Sequence, residues 1–360
     1  MISLRNFIGS AASVMVLVVA LPAAALTTTQ VGTFDNSNQA HIFKHHDRLF
    51  AIAEENDGTI GVYGANRSAN TWNAINDDAP TISDLVADTN SITRFRVFNG
   101  KLYLAAVNQT GVAQVWQVQR MGRPALWQQA GEAGFGDSAN TAVSEFFRTD
   151  DTLYALTANA AGAGLFSTTN GEDWTQVGTY GLGQNIGTVN AATHYTVADV
   201  AYKYIGTADG MVYRSAIDDL VTWESVGDIG DAITAMHSGP EQHLNVAAVV
   251  DGVTKVFVST DGNTFVQMGA DNLGEATTEK VTRFARLPGF GGLFALTKNS
   301  TAGAAMMLWN ETTETWETAV EAGLGNSANT ALNHVLRYHG KVYLPTTNAT
   351  NAEVYRLTKG

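Results

Sequence analysis

The chain has 360 residues, 45% of them hydrophobic, with a formal net charge of −13. That acidity repels nucleic acid and anionic lipid at long range, so neither is expected as a partner. With no cysteine, disulfides and lipid attachment at a cysteine are excluded, and an exported form must rely on packing alone.

The first 25 residues read as a targeting segment. Arg5 is the positive charge, Phe7 to Pro22 is apolar, and Ala23-Ala24-Ala25 fits a cleavage site before Leu26. A retained N-terminal anchor is the rival, since Phe7 to Leu26 is nearly long enough to span a bilayer. No later segment is apolar enough to do so. Cleavage near Ala25 leaves residues 26–360, secreted or held at the cell envelope, without membrane insertion of the mature chain.

Two aromatic ladders run through the rest. One is Phe50, Tyr103, Tyr154, Tyr204, a degenerate Asn245, Phe294 and Tyr343. The other is Tyr63, Trp116, Phe166, Tyr213, Phe257, Trp309 and Tyr355. Their period of about 40–55 residues is that of a four-stranded propeller blade. A third position, at the start of each fourth strand, holds Trp72, Trp127, Trp174, Trp223, Phe265 and Trp316. Indoles demanded by every blade are expected to cover its outer edge.

One unit is read from Asn140 to Val177, with strands 142–147, 153–157, 164–168 and 174–177. Asp150-Asp151 and Asn170-Gly171 supply the turns. Alternation is period two throughout, without a helical stripe. No fourth strand follows Tyr355, but Thr29-Gln30-Val31-Gly32-Thr33-Phe34 matches Thr175-Gln176-Val177-Gly178-Thr179-Tyr180 except for Phe against Tyr. The expected fold is therefore all-β: a seven-bladed β-propeller of four-stranded antiparallel blades, the last closed by the N-terminal strand. Its linkers repeat as well. Glu132 to Ala142 recurs as Glu321 to Ala331, with Gly181-Leu182-Gly183 a shorter relative. The Gly-x-Gly pairs suit a sharp return to the axis and, with no Lys-Ser/Thr or helix following, are not phosphate loops.

The hairpins Ser259-Thr260-Asp261-Gly262-Asn263-Thr264-Phe265 and Thr168-Thr169-Asn170-Gly171-Glu172-Asp173-Trp174 resemble the Asp-box (BNR) hairpin of sialidase-like propellers. They are one residue shorter between Asp and Gly. Ser215 to Asp219 with Trp223, and Asn310 with Trp316, resemble decayed copies. The mature chain is similar to exported bacterial proteins built of such repeats. That resemblance implies the fold more than an activity. A sialidase would carry an arginine triad, a Tyr/Glu pair and an acid, and its opening motif has one loose echo, Ala285-Arg286-Leu287-Pro288.

Aligning the inner strands on their apolar anchors brings His41, Arg94, Glu145, His194, Ala235, Arg283 and His334 into register. These are candidates to ring the central channel and bind an anionic or hydrogen-bonding ligand. The plainer reading makes them inter-blade salt bridges, with Glu145 neutralising a neighbouring cation. Three histidines suggest a transition metal, but no local ligand spacing supports one. Asp35 to Asn38 and Asp137 to Asn140 lack a calcium-loop pattern and read as turn caps. His45 and His46 read as solvated turn residues. A glycosidase needs two carboxylates close together, and only Glu145 stands out. The expectation is a monomeric, cofactor-free binding module for extracellular carbohydrate or protein. A sialidase-like hydrolase and an assembly factor for exported proteins are the alternatives.

Overall fold

The computed structural model describes residues 26–75, 88–120, 126–239, 243–287 and 289–359. The expected leader, residues 1–25, lies outside them, as does Pro288. Every strand pairing is antiparallel. Four sheets are discrete and four-stranded: Thr89–Phe98 to Leu126–Gln129, Asn140–Thr149 to Thr175–Gln176, Val189–Val197 to Glu224–Asp228, and Ala232–Ser238 to Val266–Gln267.

The expected seven blades are a correction: four separate four-stranded blades form, not seven. Thirteen further strands join in one continuous sheet. It contains the runs Ser37–His45 to Trp72–Ala74, Lys280–Leu287 to Thr315–Val320, and Asn329–Leu332 to Ala352–Lys359, together with Leu26–Phe34. Two contacts fuse them, Lys298 with Ala331 and Gln39 with Thr347, each where one run's second strand meets the next run's inner strand. Leu26–Phe34 pairs along Ala352–Lys359, from Leu26 opposite Lys359 to Phe34 opposite Ala352, with a register shift at Val31.

The unit read from residue 140 appears as Asn140–Thr149, Thr152–Asn159, Gly164–Thr168 and Thr175–Gln176. The two hairpins singled out in sequence share one bonding scheme. Gly171 N–H donates to Thr168 Oγ1 at 2.8 Å, and Glu172 and Asp173 N–H donate to Asn170 Oδ1, both at 2.9 Å. Gly262 N–H likewise donates to Ser259 Oγ at 2.9 Å, and Asn263 and Thr264 N–H donate to Asp261 Oδ1 at 2.8 and 2.7 Å. Such side-chain acceptors satisfy turn donors that the ladder leaves open. They also hold the Asp261 carboxyl well below the usual carboxylate range, the backbone bonds from Thr264 and Asn263 contributing most.

The core lies between successive sheets rather than under any one of them. Phe43, Phe50, Ile52 and Val62 pack on Ile92, Leu102, Leu104 and Trp116 of the next sheet. Tyr195, Tyr204 and Val212 pack in the same way on Ile233, Leu244 and Val246. Face-to-face burial follows from strands whose two faces are both apolar.

The indoles do more than cover an outer edge. Trp174 Nε1 donates to Ala130 O of the preceding sheet at 3.1 Å, and Trp316 Nε1 to Met268 O at 3.1 Å. Trp72 Nε1 makes the same bond to Val31 O at 3.0 Å. The residue after each acceptor is glycine, and a Cβ at Gly32, Gly131 or Gly269 would stand 2.6–2.8 Å from the indole. The linkers turn on consecutive left-handed residues: Gly134-Phe135, Gly181-Leu182, Asn272-Leu273 and Gly323-Leu324. The sequence reading missed the third because Asn replaces its first glycine.

Candidate functional site

The inner strands lie side by side, Thr89–Phe98 against Asn140–Thr149, then Val189–Val197, Ala232–Ser238, Lys280–Leu287 and Asn329–Leu332. A register shift immediately precedes Arg94, Glu145, Ala235 and Arg283. The bulged residue is a hydroxyl side chain each time. Thr93, Ser144, Thr234 and Thr282 each donate to a carbonyl of the second strand, at 3.4, 3.3, 3.3 and 3.1 Å. A bulge re-aims the next side chain. The sequence signal, a Ser or Thr before each of these four positions, passed unnoticed.

The ring positions then converge. Arg94 Nε lies 3.6 Å from Glu145 Oε2. Arg283 is depressed by burial, while Glu145 raises it and Arg94 lowers it. His334 is pushed down to about 3 by burial and by the charges of Arg283 and His41. Arg283 is accessible to water, yet enough protein surrounds it to perturb its titration. A side chain lining an interior channel meets both conditions, whereas one on the outer surface meets only the first. His41 Nε2 stands 3.1 Å from Glu54 Oε1, which also accepts Ile92 N–H at 2.7 Å.

His194 keeps company with different residues. It pairs across the strands with Lys203, and burial, then Lys203 and Arg96, take it down to about 4. Ala235 carries no polar group. His41, Arg94, Glu145, Arg283 and His334 are thus brought together, and His194 joins them through Lys203 and Glu145. Among the described residues no group of three or more histidine or acidic side chains could hold a metal ion.

Sequence reasoning missed Lys203. It is 3% exposed, with Nζ 4.2 Å from the centre of the Phe147 ring. Burial lowers it to about 8, Glu145 opposing and Arg96 assisting. Its place on a second strand, between Tyr202 and Tyr204, hid it from an alignment of inner strands. His45 is a correction: it is 7% exposed rather than solvated, and burial and then His46 lower its pKa. Among the described residues, no helix is long and apolar enough to cross a membrane.

Four-stranded antiparallel blades packed face to face, with charged inner-strand residues converging, define a β-propeller. The comparison with solved structures agrees: the chain matches the WD40 β-propeller domain of Doa1, with a TM-score of 0.55 and 10% identity over 91% of this chain and 96% of that one. No protein-family model and no curated protein matches the chain.

Proposed function

We propose that this propeller is an exported, non-enzymatic binding module whose channel takes an anionic group presented by an extracellular carbohydrate or protein. The observation that carries the reading is the convergence of Arg94, Arg283 and Lys203 on one carboxylate, Glu145, with His334 beside Arg283. Arg96 adds a cation beside Lys203, so local charge is positive within an acidic chain. Preorganised guanidinium groups recognise carboxylates strongly. The two carboxylates there, Glu54 and Glu145, are already paired with His41 and Arg94, which favours binding over a sialidase-like hydrolysis.

A ring closed by the N-terminal strand completes the reading. Among the described residues, Val31, Phe34 and Tyr343 share a core cluster with Ile42 and Ala51, which supports packing of the last run of strands on the first. The Trp72–Val31 bond supports closure because its counterparts Trp174–Ala130 and Trp316–Met268 each link neighbouring sheets. The hydrogen bonds around Asn170 and Asp261 favour kinship with Asp-box hairpins.

A glycan array that includes uronic-acid and sialic-acid oligosaccharides tests the function. Specific binding should fall at least about tenfold in the Arg94→Ala/Arg283→Ala double variant with melting little changed. Equal binding by a folded double variant would remove the channel from the argument. A blank array would favour a protein partner, to be sought in the envelope.

A further inference from the structure

Asn245, where the second-strand ladder loses its aromatic ring, marks a second site. Tyr103 and Tyr204 hold this position elsewhere and are fully buried against the hairpin of the next sheet. Gly171 approaches Tyr103 so closely that a Cβ there would overlap the phenol, and Tyr204 Oη donates to Gly262 O at 3.2 Å. At Asn245 the short amide leaves that space unfilled. A cavity of about 340 Å³ opens between this sheet and the next, lined by Val258 and Met268 on one side and Leu293 and Trp309 on the other. Arg286, His243 and Glu311 complete it. Asn245 is 2% exposed, and its Nδ2 has no hydrogen-bond partner.

We propose that this cavity binds a monocyclic aromatic carboxylate, a benzoate or hydroxybenzoate in size and chemistry. The ring takes the place of the missing tyrosine side chain, between Trp309 and the apolar wall of Met268, Val258 and Leu293. Its carboxylate meets Arg286, whose side chain is held against the main chain at Gly239, where a Cβ would lie 2.7 Å from Nε. Asn245 Nδ2 donates to the same carboxylate or to a ring substituent. A buried donor without a partner costs free energy that a ligand acceptor recovers. The volume lies at the small end of ligand pockets, about 300–1,000 Å³, which suits one ring and not an oligosaccharide.

The test titrates the purified protein with 4-hydroxybenzoate, followed by saturation-transfer NMR and thermal melting. Wild type should bind and melt higher with ligand. Asn245→Tyr restores the ladder: its melting temperature should rise without ligand, and binding should disappear. Arg286→Gln should keep the fold and lose at least about tenfold in affinity. Wild type that binds no aromatic carboxylate while Asn245→Tyr is stabilised would mean a packing defect and overturn the proposal. Binding unaltered in Asn245→Tyr, or in a folded Arg286→Gln, would also overturn it.

Discussion

Gly32→Ala isolates the contact that ties the N-terminal strand to the first run of strands. The added methyl would stand 2.6 Å from Trp72 Nε1 and 2.7 Å from Cδ1, so the indole must withdraw from Val31 O, now 3.0 Å away. Overpacking of this kind costs about 1–3 kcal/mol, and the lost hydrogen bond adds about 0.5–1.5 kcal/mol. Gly131 and Gly269 have φ of +89° and +80°, so alanine there strains the backbone too. Gly32 carries no such strain, which makes it the cleaner probe. A loss of about 3 kcal/mol set against an unfolding entropy of about 2.1 cal/mol/K per residue, summed over roughly 330 residues, lowers Tm by about 4 °C. Calorimetry reads this directly, and Trp72→Phe, which removes the donor and part of the indole's packing on Phe34, should also lower Tm. If Gly32→Ala melts with wild type, the N-terminal strand does not hold its neighbour through this contact.

The titrations set an acid limit. His237 and His334 sit near 4 and 3, depressed first by burial and then by arginines, so the unfolded chain binds protons between pH 6.5 and 4 that the folded chain refuses. Stability must therefore fall as pH drops through that window, by at most about 1.4 kcal/mol per pH unit for each histidine. Urea midpoints measured from pH 7 to 4 should show the slope, and His334→Gln should flatten it; parallel curves would refute the assignment. Leu273, 1% exposed at φ +57°, sets burial against strain. Leu273→Gly relieves about 1 kcal/mol of left-handed strain but forfeits a buried side chain worth about 2–5 kcal/mol. A net destabilisation is expected in chemical denaturation, and a gain would mean strain dominates.

The blade repeat was legible because packing between sheets imposes the same residue at the same depth. Tyr103 and Tyr204 are buried against the hairpin of the following sheet, and Trp72, Trp174 and Trp316 reach a carbonyl of the neighbouring strand run. The number of separate sheets was not legible. Whether Lys298 meets Ala331 depends on how closely two strands approach, and residue types carry no record of that.

The channel was half legible. Alignment by apolar anchors found Arg94, Glu145 and Arg283, since a bulge inserted at the same place in each strand keeps them in register. It missed Lys203, because a second-strand side chain reaches Glu145 only when the sheets are laid against each other. Asn245 carries the opposite lesson. Its failure to match the ladder looked like decay of the repeat, yet the mismatch is where the fold stops filling its own interior. In a repeat protein, the positions that agree describe the packing, and the position that disagrees is the place to look for a ligand.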